Sequence, residues 1–226
     1  TADRLRDTLP PVWFPYSHLD ALAEVDGVEL VAVADADPAA AGRTAARFGA
    51  PRWYADGAEL IERERPDLLL IATRMSGRAE LIEVAVAHGV RGIHLEKPLA
   101  PTPAACRRVL DAAAAAGTRL SYGAVRRYMD VARTARRLVD GGRFGALRHV
   151  VSESRTAELL WAHPHTFDLF TYFVGNGPIE SVQARMRVLD GSFDGSVLDA
   201  DPLVELVSVR YASGVIATVI DTGVGE

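Results

Sequence analysis

Two short segments of the sequence carry side chains that could move a proton. Glu96-Lys97-Pro98 follows an apolar run, and a lysine held there beside a carboxylate could shuttle a proton or donate a hydrogen bond to a substrate oxygen. In the second segment, His165 and Asp168 are three residues apart and would share one face of a helix. A histidine with an acid nearby suits general acid or base chemistry near neutral pH.

Both segments also allow other interpretations. The tripeptide Glu96-Lys97-Pro98 could be a plain strand end and turn, and His165 could simply cap or pack a helix. His163 and His165 could alternatively hold a metal ion, with Asp168 as the one obvious further ligand. Because that ligand set is incomplete, we expect proton transfer here and no metal.

Polar residues that directly follow two other apolar runs are candidates for binding a cofactor. Asp35 follows Val-Ala-Val-Ala, and a carboxylate at this place can accept both ribose hydroxyls of an adenosine and would repel a 2′-phosphate. Thr73 follows Leu-Leu-Leu-Ile-Ala and could place its hydroxyl near a cofactor phosphate. The alternative is that Asp35 or Asp37 caps the helix that follows.

The elements that would position these residues alternate between short apolar strands and amphipathic helices. Strands are predicted at residues 28–34, 68–72, 92–95 and 120–123. Helices are predicted at residues 38–48, at 56–65, at 79–88, and from a Thr102 cap to Gly117. We expect the first strand to be buried on both faces. This alternation predicts an α/β, doubly wound parallel sheet, in which ligands bind beyond the carboxyl ends of the strands.

After residue 123 the pattern changes. Helices are predicted at residues 131–139 and 167–173, and strands at 147–151, 179–189, 203–211 and 215–220. The last two strands are separated by a tight Ala212-Ser213-Gly214 turn, which is typical of a hairpin. We therefore predict an α+β domain with an open, mainly antiparallel sheet. A boundary near residue 125 gives domains of residues 1–125 and 126–226.

Composition narrows the classes of function. The 226 residues carry a net charge of -5 with a pI near 5.7, so there is no basic excess to support binding of nucleic acid or an anionic membrane. Cys106 is the single cysteine and can form no internal disulfide, which fits a reducing compartment. No apolar run approaches the length of a membrane span. We expect a cytoplasmic protein.

Taken in order, these segments resemble the family of glucose-fructose oxidoreductase and inositol dehydrogenase (Gfo/Idh/MocA). Its second strand and helix resemble VELVAVADADPAAAGRTAARFGA, and its fourth and fifth units resemble DLLLIATRMSGRAELIEVAVAHGVRGIHLEKPLAPT, which includes the Glu-Lys-Pro signature. The crossing into its substrate domain is similar to LSYGAVRRYM, and its histidine-containing helix and first sheet strand are similar to HTFDLFTYFVGNGPIESVQA. The likeness extends over residues 18–222.

The resemblance implies an NAD(P)-dependent oxidoreductase that transfers hydride between a nicotinamide and a hydroxyl carbon of a sugar, cyclitol or related polyol. It implies that Lys97 contacts both the nicotinamide and the substrate, and that His165 is the acid or base. It also implies that Asp35 binds the adenosine ribose, which favours NAD over NADP. The first domain would then bind the dinucleotide, and the second would bind the substrate and form a dimer or tetramer.

Further residues are expected to complete the two binding sites. Thr73, Glu96 and Pro98 are assigned to the cofactor together with Lys97 and Asp35. The substrate is assigned to residues near the crossing between the domains and on the histidine-containing helix, namely Arg127, Tyr128 and Asp168. The expected partner is a small polyhydroxylated molecule.

The chain departs from the family pattern in several places. Residues 10–15, Pro-Pro-Val-Trp-Phe-Pro, fall where the family has a glycine-rich turn whose backbone approaches the pyrophosphate. Trp161 replaces an aspartate that many members have four residues before the histidine. Arg74 and Arg78 replace proline and histidine; they could bind a phosphate or an acidic substrate, or be exposed residues at a helix start. The chain also stops at Glu226, where members usually continue.

These departures motivate alternative hypotheses. The chain could be a degenerate, non-catalytic member that acts as a binding module or partner subunit. It could also be part of an intact enzyme, with segments missing at its start and end. A lyase or an NAD-dependent glycoside hydrolase on the same scaffold would use the same residues, because transient oxidation needs the same groups.

Overall fold

A computed structural model describes residues 17–188 and 200–223, and these form two compact units. The first unit contains the described residues up to Leu95 together with Leu99–Ser121. The second contains Glu96–Pro98 and the described residues from Tyr122 onward. The Glu-Lys-Pro tripeptide therefore groups with the second unit, although it directly follows a strand of the first. The proline-rich stretch at residues 10–15 lies outside the described residues.

The first unit alternates strands and helices, as the sequence predicts. Its elements are α1 (His18–Leu22), β1 (Ala32–Ala34), α2 (Pro38–Phe48), β2 (Arg52–Tyr54), α3 (Gly57–Glu64), β3 (Leu68–Ile71), α4 (Arg78–Ala87), β4 (Gly92–Leu95), α5 (Pro103–Ala116) and β5 (Arg119–Tyr122). Strand β1 pairs with β2 and β3 pairs with β4, both in parallel, and β5 lies beside β4. The predicted α/β class with parallel, Rossmann-like sheets is confirmed.

Two strand predictions in this unit need correction. Strand β1 begins at Ala32 and not at residue 28, and Val28 is 38% exposed, so burial on both faces was wrong for that end. Strand β2 was not predicted, because Arg-Trp-Tyr contains no apolar run. It forms because β1 offers it a parallel partner, with Val33 opposite Trp53.

The helices follow local signals closely. Asp37 caps α2 by accepting the Ala39 N–H at 2.9 Å, and Asp56 caps α3. Gly49 and Gly117 follow α2 and α5 in the left-handed conformation, with φ of 72° and 73°, which glycine adopts without steric penalty. Because caps and terminating glycines act within one turn of the chain, the predicted bounds are close to the observed ones.

The second unit packs helices against a mixed sheet. After a 3₁₀ turn at Val125–Tyr128 come α6 (Asp130–Asp140), β6 (His149–Ser154), β7 (Ala157–Glu158), α7 (Pro164–Val174), β8 (Ile179–Arg187), β9 (Leu203–Tyr211) and β10 (Ile216–Asp221). Strand β9 is antiparallel to β7, β8 and β10, whereas β10 and β6 are parallel. The predicted α+β unit with a mainly antiparallel sheet is confirmed.

Helix α7 is held on one face of this sheet. Phe170 is 1% exposed and packs among buried sheet residues that include Val207, Val209, Ala217 and Val219. The helix starts at Pro164, earlier than predicted, because proline is suited to the first helical turn. The consequence for function is that His165 lies in the first turn of a helix whose middle is anchored in the core.

We expect the cap of α5 to be a measurable source of stability. The Thr102 hydroxyl accepts the Ala105 N–H at 3.1 Å, so Thr102→Ala should lower the free energy of unfolding by about 1 kcal/mol. Thr102→Ser keeps the hydroxyl and should lose much less. Urea denaturation followed by circular dichroism measures both variants, and equal losses in the two would contradict the capping role.

Candidate active site

Lys97 contacts Trp161 in two ways. Its Nζ donates a hydrogen bond to the Trp161 carbonyl oxygen at 2.5 Å, and the same atom lies 3.7 Å from the centroid of the indole ring. A carbonyl oxygen and the face of an aromatic ring are both negative surfaces that attract an ammonium. These two contacts hold the Lys97 ammonium against Trp161.

Asp201 holds the backbone that carries Trp161. Its two carboxylate oxygens accept the N–H groups of Leu160 and Trp161, at 2.7 and 2.9 Å. The adjacent Leu159 N–H donates to the Pro202 carbonyl at 2.9 Å. The turn that presents Trp161 to Lys97 is thus tied to the residues that lead into β9.

Glu96 lies against the backbone of Gly123. A Cβ atom added to Gly123 would lie 3.1 to 3.2 Å from the carboxylate atoms of Glu96, which is closer than ordinary contact. Gly123 follows β5 directly, so the absence of a side chain there allows the carboxylate to approach. The Glu-Lys-Pro segment is therefore accommodated by a glycine at the end of the neighbouring strand.

His165 lies in a partly buried environment between opposing charges. Burial is the main cause that lowers its pKa from the ordinary 6.5, and the positive charges of Arg126 and Lys97 lower the pKa further. Glu96 and Asp168 act in the opposite direction. His165 is therefore neutral at pH 7, and within the described part of the chain its buried Nδ1 has no hydrogen-bond partner. A neutral imidazole can accept a proton.

His163 is more deeply buried than His165, at 2% exposure. Burial is the largest cause of its lowered pKa, and Arg126 contributes to the same direction. Across residues 17–188 and 200–223, no group of three or more His, Cys, Asp or Glu side chains is arranged to hold a metal ion. His163 packs 6.2 Å from the Phe167 ring, centroid to centroid, as a neutral core residue would.

The Asp168 carboxylate is engaged by Arg127. Arg127 Nε donates to Asp168 Oδ2 at 2.8 Å, and Arg127 Nη2 donates to Oδ1, so the pair is bidentate. This hydrogen bonding is also the main cause that raises the pKa of Arg127. Arg127 and Asp168 therefore form a neutralised pair beside His165, whereas Tyr128 is 68% exposed.

In the first unit, Asp35 and Thr73 both follow parallel strands and are exposed. Asp35 Oδ1 accepts the Asp37 N–H at 2.9 Å, and Asp37, not Asp35, caps the helix. The Asp35 carboxylate is accessible at the carboxyl end of β1, as binding to ribose hydroxyls requires.

The two arginines that depart from the family pattern differ in environment. Arg74 is exposed, as a residue before a helix commonly is. Arg78 is 2% exposed, and its Nη2 donates to the Thr73 carbonyl, so the expectation of an exposed residue at a helix start was wrong for Arg78. Its guanidinium fixes the loop that carries Thr73.

Sequence reasoning missed three contributors to this arrangement. Asp201 and Trp161 are forty positions apart, so no local pattern links them. Gly123 has the sequence context of an ordinary strand end. For the site, the sequence favoured Arg127 over its neighbour Arg126. Only the residue type of Gly123, a glycine directly after a strand, could have hinted at a close approach.

Helices in the described part of the chain are all too short or too polar to cross a bilayer.

The oxidoreductase family Gfo/Idh/MocA, described as having an NAD-binding Rossmann fold, matches residues 13–124. An inositol 2-dehydrogenase from Burkholderia multivorans is 37% identical over 204 residues, which is 84% of this chain and 58% of that relative.

Solved structures share the fold. The WlbA dehydrogenase from Bordetella pertussis, in complex with NADH and UDP-GlcNAcA, superimposes with a TM-score of 0.72 at 21% identity over 86% of this chain and 64% of that one. An oxidoreductase from Agrobacterium radiobacter, in complex with NAD⁺, L-tartaric acid and magnesium, gives 0.74 at 18% identity over 92% and 63%.

The chain thus spans less than two thirds of the length of each of these three proteins. The match runs through both units, from the parallel sheets to the mixed sheet. The family model covers most of the first unit, and the inositol 2-dehydrogenase and the two solved structures cover 84% or more of the chain. The chain belongs to the Gfo/Idh/MocA family of oxidoreductases.

Proposed function

We propose that this protein is an NAD-dependent dehydrogenase that acts on a hydroxyl carbon of a sugar, cyclitol or related polyol. The observation that carries the proposal is the pairing of a neutral His165 with a charged, fixed Lys97 in the same unit. One group can accept a proton and the other can donate a hydrogen bond, which is the division of roles that alcohol oxidation needs.

His165 is the proton acceptor in this proposal. Its lowered pKa keeps the imidazole neutral at pH 7, so it can take the proton of the substrate hydroxyl. Asp168 is held by Arg127, and it influences His165 through its charge alone. The sequence left open whether Lys97 or His165 takes the proton, and these environments favour His165.

Lys97 is the donor to the substrate oxygen. Its ammonium is held by the Trp161 carbonyl and indole ring, and it can stabilise negative charge that develops on that oxygen as the proton leaves. The carbon–oxygen bond becomes a carbonyl, the proton remains on His165, and the hydride leaves the carbon. Bound NAD would supply the acceptor for that hydride.

The first unit supports NAD as the cofactor. Asp35 would accept the adenosine ribose hydroxyls, and its negative charge would repel the 2′-phosphate of NADP. Thr73 would contribute a hydroxyl, held by the contact between Arg78 and the Thr73 carbonyl. We assign Glu96 and Pro98 to the cofactor together with Lys97.

For the substrate, the inositol 2-dehydrogenase relative makes myo-inositol the first compound to test. We assign Arg127, Tyr128 and Asp168 to substrate binding. Because Arg127 and Asp168 hydrogen-bond each other, fewer of their donors and acceptors remain available to the substrate. A homo-oligomer belongs to the same proposal and rests on the family resemblance, whereas a cytoplasmic location is proposed from the composition. Size-exclusion chromatography would test the oligomer.

Replacement of Lys97 tests the reaction. Lys97→Met removes the donor and should lower kcat at least about 100-fold, a far larger loss than any loss of NAD affinity. NADH absorbance, with myo-inositol and a panel of sugars, measures turnover, and calorimetry measures cofactor binding. Arg107→Met, on the exposed side of α5, is the control and should leave turnover unchanged. The proposal fails if the wild-type protein binds no nicotinamide cofactor at millimolar concentration.

Asp35 should determine the choice of dinucleotide. Asp35→Ala removes a charged acceptor and should weaken NAD binding about tenfold or more, while the ratio of NADP to NAD affinity rises. Asp37→Ala is the matched control: it removes the α2 cap and about 1 kcal/mol of stability but should leave that ratio unchanged. An unchanged ratio in Asp35→Ala would contradict the assignment.

The pH dependence should report His165. As pH falls through the pKa of His165, the base becomes protonated and kcat/KM declines; because that pKa is lowered, the decline should occur below pH 6.5. Arg126→Ala removes a positive charge and should move the decline to higher pH. Arg126→Lys should not, and the Arg126→Ala shift should shrink in high salt. Identical profiles for all three proteins would rule out this electrostatic role of Arg126.

A further inference from the structure

Both carboxylate oxygens of Asp201 are used on one short turn. They accept the Leu160 and Trp161 N–H groups at 2.7 and 2.9 Å, and hydrogen bonds to an ionised acceptor are stronger than neutral ones. The Leu159 N–H is also bonded, to the Pro202 carbonyl. Three successive N–H groups are therefore directed at the segment that leads into β9.

Packing does not fix Trp161 in place. Its side chain is 68% exposed, so the ring is not located by burial in a core. The position of its ring and carbonyl must come from the backbone of the turn, and Asp201 is the side chain that holds this backbone. A substitution that loosens the turn would move the Trp161 carbonyl and the Trp161 ring, which both contact Lys97, at the same time.

Lys97 needs such a fixed partner. A lysine side chain is a flexible four-carbon stem with a charge at its end, and it orients poorly unless its ammonium is held. The Trp161 carbonyl at 2.5 Å and the indole centroid at 3.7 Å hold it from one residue. The contacts form a series from Asp201, through the Trp161 backbone, to the Lys97 ammonium.

We propose that Asp201 is a positioning residue for Lys97 and acts through the Leu160–Trp161 turn. This inference rests on the proposed function for its catalytic consequence, because Lys97 is the donor to the substrate oxygen there. Its structural part, the placement of the ammonium against the indole, stands independently of any substrate. Asp201 itself contacts neither Lys97 nor the reacting atoms in this proposal.

The sequence offers an unusually direct test. Lys97 is the only lysine in the 226 residues; all other residues counted as Lys or Arg are arginine. Protein made with ¹³C-labelled lysine therefore gives a single lysine spin system by NMR. The indole ring should shift the methylene protons next to the Lys97 amine upfield of their position in free lysine, and Trp161→Ala shows where this signal lies when the ring is absent.

Asp201→Ala should move the Lys97 signal toward its position in Trp161→Ala and lower kcat about 10-fold to 100-fold, with the affinity for NAD unchanged. Asp201→Asn keeps one acceptor oxygen and should give an intermediate signal and an intermediate kcat. Asp56→Ala is the matched control. Asp56 also accepts a backbone N–H, from Ala58 at 2.6 Å, but it belongs to the first unit and its loss should leave the Lys97 signal unchanged.

A Lys97 signal that stays at its wild-type position in both Asp201 variants would overturn the inference. Circular dichroism shows whether Asp201→Ala folds, and Asp201→Asn carries the test if it does not. The NMR result needs neither cofactor nor substrate. Failure of the proposed function, seen as absent NAD binding or turnover, is thus distinguishable from failure of the positioning role, seen as an unmoved lysine signal.

Discussion

The ammonium of Lys97 is the charge on which the proposed chemistry depends, and Trp161 holds it through two contacts. A carbonyl oxygen and an aromatic face from the same residue contact the amine. Trp161 is exposed and is not located by packing, so its own backbone must be fixed. Asp201 provides that constraint with both carboxylate oxygens. The strongest candidate for catalysis is therefore held by a series of polar contacts and not by the apolar core.

The charges around His165 serve a different purpose. Arg127 binds the Asp168 carboxylate in a bidentate pair, and Asp168 still acts to raise the pKa of His165. Burial, Arg126 and Lys97 outweigh this effect and lower the pKa of His165. In the proposed function, a cationic Lys97 and a neutral His165 would separate the two tasks of alcohol oxidation: Lys97 would stabilise the oxygen, and His165 would receive the proton.

Trp161 is one of the positions at which the chain departs from the family pattern, and the structure shows what this residue contacts. Replacing an expected aspartate by tryptophan removes a carboxylate partner of His165, and from the sequence this substitution weakens the argument for catalysis. In the structure the tryptophan contacts Lys97 instead of His165 through its indole ring. The substitution therefore exchanges an expected partner of His165 for a partner of Lys97, and the proposed function rests on both residues.

Local signals in the sequence determined much of this protein. Caps such as Asp37 and Thr102, terminating glycines and the hairpin turn act within a few residues, so helix bounds and the α/β class could be inferred from them. The resemblance of the ordered segments indicated the family. Tertiary structure alone decided that Arg78 is buried, that β2 pairs with β1, that Arg127 occupies Asp168, and that Asp201 reaches back to Trp161. Those contacts join residues that the folded chain brings together, and no periodicity or propensity encodes which distant partner a carboxylate will meet.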